Sequence, residues 1–119
     1  MLWAEELWFE RWHGRSFVSA LDAAEYPTVT AIRSKLEDVH HRQLSYLRGL
    51  KPEAVDAPSS YVNFRGQTCE FLLRHMIQHL AAHSSYHRGQ LATLLCQAGV
   101  EPPHTDYLLF IHSRRGLGT

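Results

Sequence analysis

The sequence predicts an all-α fold, an up-down helical bundle with three main helices and a short C-terminal helix. Three stretches, 2–13, 27–50 and 70–96, repeat apolar residues with the helical period and contain no internal proline. Glycine or proline stands at or just beyond the end of each stretch, as is usual where helices stop. At 119 residues we expect one domain over 1–119, which is large enough for a single hydrophobic core.

The first predicted helix covers residues 2–13 and is apolar around most of its circumference. Its apolar residues are Leu2, Trp3, Leu7, Trp8, Phe9 and Trp12. Such a helix is buried on more than one side. Gly14 ends it, and residues 14–26 are predicted to form a loop.

The second predicted helix begins near Pro27, since proline suits a first helical position. Its period continues to residue 50 through Val29, Ile32, Leu36, Val39, Leu47 and Leu50. Residues 51–67 form a polar connection, in which 61–66 are predicted to be a short extended piece or hairpin.

The third predicted helix contains a series of four histidines at intervals of four: His75, His79, His83 and His87. Thr68 is the expected N-cap, and the helix is expected to end near Gly99. Beyond the prolines at 102 and 103, the apolar residues 107–111 predict a short docking helix. Histidines four apart share a helix face about 6 Å apart along the axis, so one adjacent pair can bind one metal ion.

A helical wheel selects His83 and His87 as that pair. The arc that is expected to face the core contains Leu73, Met76, Ile77, Leu80, Leu91, Leu94 and Leu95. His87 lies inside this arc and His83 lies about 20° beyond its edge, whereas His79 and His75 lie progressively further out. The alternative is that His83 and His87 are core residues whose hydrogen bonds are satisfied without a metal.

Composition excludes several classes of function. Twelve basic and twelve acidic residues balance, so no basic field is expected to attract nucleic acid or an anionic membrane. Cys69 and Cys96, placed on one predicted helix about 40 Å apart, cannot form a disulfide, and two free thiols favour a cytoplasmic location. The acids Glu5 and Glu6 oppose a signal peptide, and no apolar run is long enough to span a bilayer.

Three helices with this aromatic content are expected to leave an apolar groove uncovered. We therefore expect a partner chain, most simply a second copy in a homodimer.

Other metal and nucleophile patterns are disfavoured. No histidine pair encloses the glutamate that zinc proteases of the His-Glu-x-x-His type require. The Glu-x-x-His pattern of di-iron bundles occurs at Glu10–His13 and Glu37–His40, but both pairs are predicted to lie on solvent-facing sides of their helices. Ser84 and Ser85 lack the Gly-x-Ser-x-Gly setting of a serine hydrolase.

The C-terminal part of the chain resembles the DinB-like family. The resemblance lies in Tyr86-His-Arg-Gly-Gln90, the leucine-rich turn that follows, Gly99 and Thr105-Asp106. Ala4-Glu5-Glu6-Leu7-Trp8 also resembles the family's second helix. The resemblance implies a four-helix bundle, usually dimeric, in which three histidines hold a divalent metal, and two of them match His83 and His87.

The chain departs from this family at its start. In the family, the first metal ligand lies five residues before the acid that Glu5 matches. The corresponding position in this chain is immediately before Met1, and the family's first helix is also absent. The chain therefore resembles an N-terminally shortened member with two of three ligands. Glu5 lies about 140° around the helix from the lost position, which disfavours it as a substitute.

The resemblance implies a metal-dependent enzyme with thiol-dependent S-transferase or isomerase chemistry. Zinc or nickel and a low-molecular-weight thiol are the expected cofactors, acting on a small-molecule substrate, with no nucleic acid or membrane partner. His79, Tyr86 and Arg88 are candidates for groups that orient a ligand or substrate around the metal. The alternative is a non-catalytic dimerising bundle with a vestigial metal site.

Overall fold

The computed structural model describes residues 1–16 and 19–116. It contains α1 (Leu2–Trp12), α2 (Val29–Gly49), β1 (Pro58–Val62), β2 (Thr68–Leu72), α3 (Leu73–Gln97) and α4 (Tyr107–Arg114). Short 3₁₀ turns lie at Ala23–Glu25 and Pro52–Asp56. The predicted helical fold, with three main helices and a short fourth one, is confirmed, and a small two-stranded sheet accompanies it.

The chain divides into two compact units, residues 1–82 and 83–119, and α3 passes from the first into the second. The expected single domain over 1–119 stays a prediction. No helix within 1–16 and 19–116 is long and apolar enough to cross a membrane.

The core of unit 1–82 is built around the aromatic residues of α1. Phe9 and Trp12 are buried and pack edge to face, with ring centroids 5.7 Å apart. The other buried members of this cluster are Tyr61, Leu73, Met76 and Leu80, which come from β1 and α3. Burial of α1 on several sides therefore agrees with its apolar circumference.

Helix α2 begins at a capped end and packs on α1 partly through polar groups. The Thr28 hydroxyl accepts a hydrogen bond from the backbone N–H of Ala31, at 3.1 Å. Val39 is fully buried, and the ammonium of Lys35 lies 2.9 Å from the carboxylate of Glu6 on α1. An ion pair thus joins α2 to α1, and the ring of Tyr46 on α2 packs edge to face against Phe9, with centroids 5.9 Å apart.

The strands form an antiparallel hairpin in which Tyr61 pairs with Cys69 and Ser60 pairs with Glu70. Asn63 closes the turn, because its side-chain oxygen accepts hydrogen bonds from the backbone N–H groups of Arg65 and Gln67. The hairpin predicted around 61–66 is confirmed, although its strands extend further in both directions.

Two predictions about the region before α3 are wrong. Thr68 is not a helix cap, since it pairs with Val62 in the sheet and α3 begins only at Leu73. Cys69 accordingly lies on β2 rather than on one helix with Cys96, although both thiols are free. Hydrogen bonds to β1, which helical periodicity cannot report, hold 68–72 extended.

In unit 83–119, α3 ends at Gln97, and Gly99 follows it with a φ of +77°, which glycine adopts readily. The backbone N–H of Val100 donates to the carbonyl of Leu95 at 2.9 Å, which closes the helix end. Leu91, Leu94 and Leu95 are exposed, so their expected place in the core is wrong for the part of the chain that the structure describes. The same apolar arc is buried in unit 1–82, where Leu73, Met76 and Leu80 lie.

Candidate metal centre

The structure brings His83 and His87 together on consecutive turns of α3. Their Nε2 atoms are 3.1 Å apart, and their half-buried rings are nearly perpendicular, with an interplanar angle of 82°. Two metal–nitrogen bonds of about 2.0–2.1 Å that meet at about 100° separate their nitrogen atoms by about the same distance. The donor pair therefore has the spacing of a chelate that uses Nε2 of both rings, and the same spacing is that of a direct N–H···N hydrogen bond between them, as the alternative without a metal expects.

Gln90 fixes the orientation of the His87 ring. Its Oε1 lies 2.7 Å from Nδ1 of His87, and its Nε2 donates to the hydroxyl of Tyr86 at 3.3 Å. Because an amide oxygen only accepts hydrogen bonds, Nδ1 carries the proton and the Nε2 lone pair of neutral His87 is available to a metal. Sequence reasoning missed Gln90, although its position three residues after His87 could have indicated it.

Tyr86 and Arg88, the other two C-terminal site candidates, are both exposed. The ring centroid of Tyr86 lies 5.5 Å from that of His87. Arg88 lines a cleft of about 690 Å³ within unit 83–119, together with His104 and Asp106. Tyr86 therefore contacts the histidine pair directly and through Gln90, while Arg88 belongs to a neighbouring cleft of the same unit.

His75 and His79 belong to unit 1–82, and both are exposed there. The His79 ring packs against Trp8, with centroids 4.4 Å apart. Both histidines line an aromatic cleft of about 510 Å³. The order predicted by the wheel, with His75 and His79 more exposed than His83 and His87, is confirmed.

The two Glu-x-x-His pairs do not assemble a metal site. Glu10 forms an ion pair with Arg15, which lowers the pKa of the Glu10 carboxyl, while Nδ1 of His13 lies 2.9 Å from the Phe9 carbonyl oxygen. Glu37 on α2 is exposed. Within 1–16 and 19–116, no group of three or more His, Cys, Asp or Glu side chains is placed to hold a metal ion.

Glu5 and Glu6, considered as substitute ligands, have other roles in the α1–α2 contact. Glu5 is buried and accepts a hydrogen bond from the Gln43 amide at 3.1 Å, and the His40 ring lies 3.7 Å away. Glu6 contacts Lys35 and Arg42. These carboxylates link the two helices, which supports the expectation that Glu5 does not replace a missing ligand.

Comparison with known proteins decides the family. The model of the DinB family matches residues 1–117, nearly the whole chain. The chain belongs to the DinB family. It is 24% identical over 111 residues to Protein DinB of Bacillus subtilis (strain 168), a match that covers 87% of this chain.

That match spans 63% of the length of the Bacillus protein, slightly less than two thirds. No solved structure matches the chain. The DinB resemblance expected from the motif around His87 is thus confirmed at the level of the family.

Proposed function

We propose that this DinB family chain binds a divalent metal through His83 and His87. The observation that supports the proposal most strongly is the 3.1 Å separation of the two Nε2 atoms. The hydrogen bond between His87 and Gln90 adds the second feature of a metal-binding histidine, a partner for the other ring nitrogen. Zinc and nickel are among the metals that imidazole ligands bind well.

We further propose that the metal serves thiol-dependent S-transferase or isomerase chemistry on a small molecule. A bound divalent metal would supply Lewis acidity, which favours a thiolate at neutral pH or polarises a carbonyl group. Tyr86 would hold Gln90, and Gln90 would hold the proton of His87 at Nδ1. His79 stays a candidate for a group that orients a ligand or substrate.

Arg88 supports the thiol part of this proposal. Its exposed guanidinium lines the cleft with Thr105 and Ser113, and a guanidinium is suited to bind a carboxylate with two parallel hydrogen bonds. Low-molecular-weight thiols commonly carry such a carboxylate. An ordinary structural role for Arg88 predicts instead that its removal leaves thiol affinity unchanged.

Two imidazoles fill only part of a metal's coordination shell. Since the described residues offer no third protein ligand, the remaining positions must be filled from outside them. A second copy of the chain, further protein sequence or an exogenous thiol could provide the missing donor. The expected homodimer and cytoplasmic location also stay predictions.

Metal content of the purified protein tests the proposal. Wild type, loaded with Zn²⁺ or Ni²⁺ and freed of excess ion, should retain about one ion per site, and His83→Ala or His87→Ala should retain little. His75→Ala is the matched control, because it removes an exposed histidine of the same helix from unit 1–82. Equal, near-zero metal in wild type and His83→Ala would remove the hypothesis.

A non-catalytic dimerising bundle is the second candidate, and the exposed apolar side chains of unit 83–119 favour it. They include Leu91, Leu94, Val100, Tyr107, Leu108 and Phe110. An exposed apolar set of this size on a small unit is typical of an interaction surface. On this interpretation a second copy covers the surface and the histidine pair is vestigial.

A further inference from the structure

The aromatic cleft of unit 1–82 has walls suited to a flat ring. It is lined by Trp8, Tyr61, Phe71, His75, Met76 and His79. The rings of Tyr61 and Phe71 are stacked 6.5 Å apart, and Trp8 meets Tyr61 edge to face at 5.8 Å. A volume of about 510 Å³ lies within the range of small-molecule sites.

The hairpin register explains why these rings share one wall. Tyr61 and Cys69 are paired, so Tyr61 and Phe71 project from the same face of the two strands. Ser60 and Glu70 project from the opposite face, where the serine hydroxyl donates to the carboxylate at 3.1 Å. The negative charge of this hairpin is therefore kept away from the cleft.

A buried cation lies behind the aromatic wall. The guanidinium carbon of Arg11 lies 4.2 Å from the ring centroid of Tyr61 and 4.6 Å from that of Trp8. Arg11 is only 6% exposed, and its Nε has no hydrogen-bond partner among the described residues. Burial lowers the pKa of Arg11, but a guanidinium stays charged throughout the neutral range.

Among the residues that the structure describes, no carboxylate neutralises this charge at the cleft. The described residues that line it include no Asp or Glu, and no ion pair of Arg11 occurs within 1–16 and 19–116. Aromatic faces partly stabilise the cation, but they do not cancel its charge. Among the described residues, Arg11 thus places a positive charge without a carboxylate partner next to the cleft, which favours a negatively charged ligand.

We propose that this cleft binds a small planar aromatic carboxylate. The ring of the ligand would pack on the exposed ring of Phe71, because the Trp8 ring already packs against Arg11 and His79. Its carboxylate would gain from the nearby charge of Arg11 and from an N–H donor of His75, which also lines the cleft. Every residue of this site lies in unit 1–82, so the proposal does not depend on metal at His83 and His87.

Calorimetric titration of the full chain with two matched probes tests the proposal. 1-Naphthoate and 1-naphthalenemethanol share a ring system and differ in charge, and the titrations are done with excess chelator so that no metal contributes. We expect naphthoate to bind wild type at least about ten-fold more tightly than the alcohol. Equal affinity of the two probes would overturn the proposal.

Two phenylalanine variants locate the site. Phe71→Ala removes a ring of the cleft, whereas Phe110→Ala removes a ring of similar exposure, 54% against 49%, from unit 83–119. Phe71→Ala should weaken both probes about ten-fold or more, and Phe110→Ala should leave both within about two-fold. Equal losses in the two variants would place binding elsewhere and overturn the proposal.

Arg11→Met tests the origin of the charge preference. Methionine keeps an unbranched side chain against the rings but removes the cation, so the preference for naphthoate should fall to less than about three-fold while the alcohol binds as before. A preserved ten-fold preference in folded Arg11→Met would overturn the role of Arg11. If circular dichroism shows this variant unfolded, the wild-type preference and the phenylalanine pair decide the question.

Discussion

Oε1 of Gln90 lies 2.7 Å from Nδ1 of His87, on the side of the ring opposite the Nε2 that approaches His83. Groups that bind the second nitrogen of a ligating histidine fix the ring and raise its basicity, and their loss typically weakens metal binding about 10–100-fold. A substitution of Gln90 should thus weaken metal binding at the proposed centre while both imidazoles remain in place.

Gln90→Leu should therefore lower Zn²⁺ affinity about ten-fold or more while the helical content is retained. A competition titration against a chromophoric zinc chelator measures the change. Gln97→Leu, at the exposed end of the same helix, is the control and should match wild type. Unchanged affinity in Gln90→Leu would show that the hydrogen bond does not support metal binding.

The effect of a chelator on the melting temperature distinguishes the two candidate functions. If His83 and His87 bind metal only in the folded state, removal of the ion should lower the melting temperature by several degrees, since metal at about one hundred times its Kd contributes about 2.7 kcal/mol. Scanning calorimetry with and without EDTA measures this shift, and His83→Ala should show none. If light scattering shows a dimer and EDTA leaves its melting temperature unchanged, the result supports the non-catalytic bundle instead.

Val39 should be among the most sensitive core positions, because its side chain is fully buried where α2 packs. Val39→Ala removes two methyl groups from this place and should cost about 2 kcal/mol in the free energy of unfolding. Val29→Ala is the matched control, since Val29 is exposed at the start of the same helix, and should stay within about 0.5 kcal/mol. Urea denaturation compares the two variants, and equal costs would contradict the packing described for α2.

The Glu10–Arg15 pair should make a small, acid-sensitive contribution to stability. The hydrogen bond from Arg15 lowers the pKa of Glu10 below its ordinary value of 4.5. A carboxyl whose pKa is lower in the folded protein stabilises the fold above the unfolded value and loses that effect as the pH falls through the folded one. Since Arg15 is largely exposed, the contribution should stay below about 1 kcal/mol.

Glu10→Gln should therefore narrow the stability difference between neutral and acidic pH. Urea midpoints measured from pH 7 down to about pH 3 give the comparison, and Arg15→Gln should reproduce the same change. Parallel pH profiles for wild type and Glu10→Gln would show that this pair contributes nothing measurable.

Local patterns in the sequence were sufficient for the presence of the helices and for the histidine pair. Gly99 acts within one turn of α3, so its neighbours in the chain indicate where that helix ends, whereas α2 begins at Val29 with Thr28 as its cap instead of at Pro27. His83 and His87 converge for the same reason, because residues four apart share a face of any α-helix. The resemblance to the DinB family was carried by the stretch around His87 and by residues 4–8, and the family model matches residues 1–117.

Features formed by distant segments could not be predicted in this way. Thr68 resembles a helix cap, but its pairing with Val62 places it in a strand, and Arg11 resembles a surface residue of α1 until the hairpin supplies Tyr61 to cover it. The cleft likewise needs rings from α1 and the hairpin, together with the first turns of α3.

The sequence by itself determined the helical periods and the mutual approach of His83 and His87, and the metal centre at this pair stays a proposal. Only the tertiary structure decided which apolar faces are buried, where the hairpin lies, and that Arg11 is enclosed by aromatic rings. The reason is physical: a helix satisfies its backbone hydrogen bonds within four residues, whereas a sheet and a cleft depend on contacts between segments that are far apart in the chain.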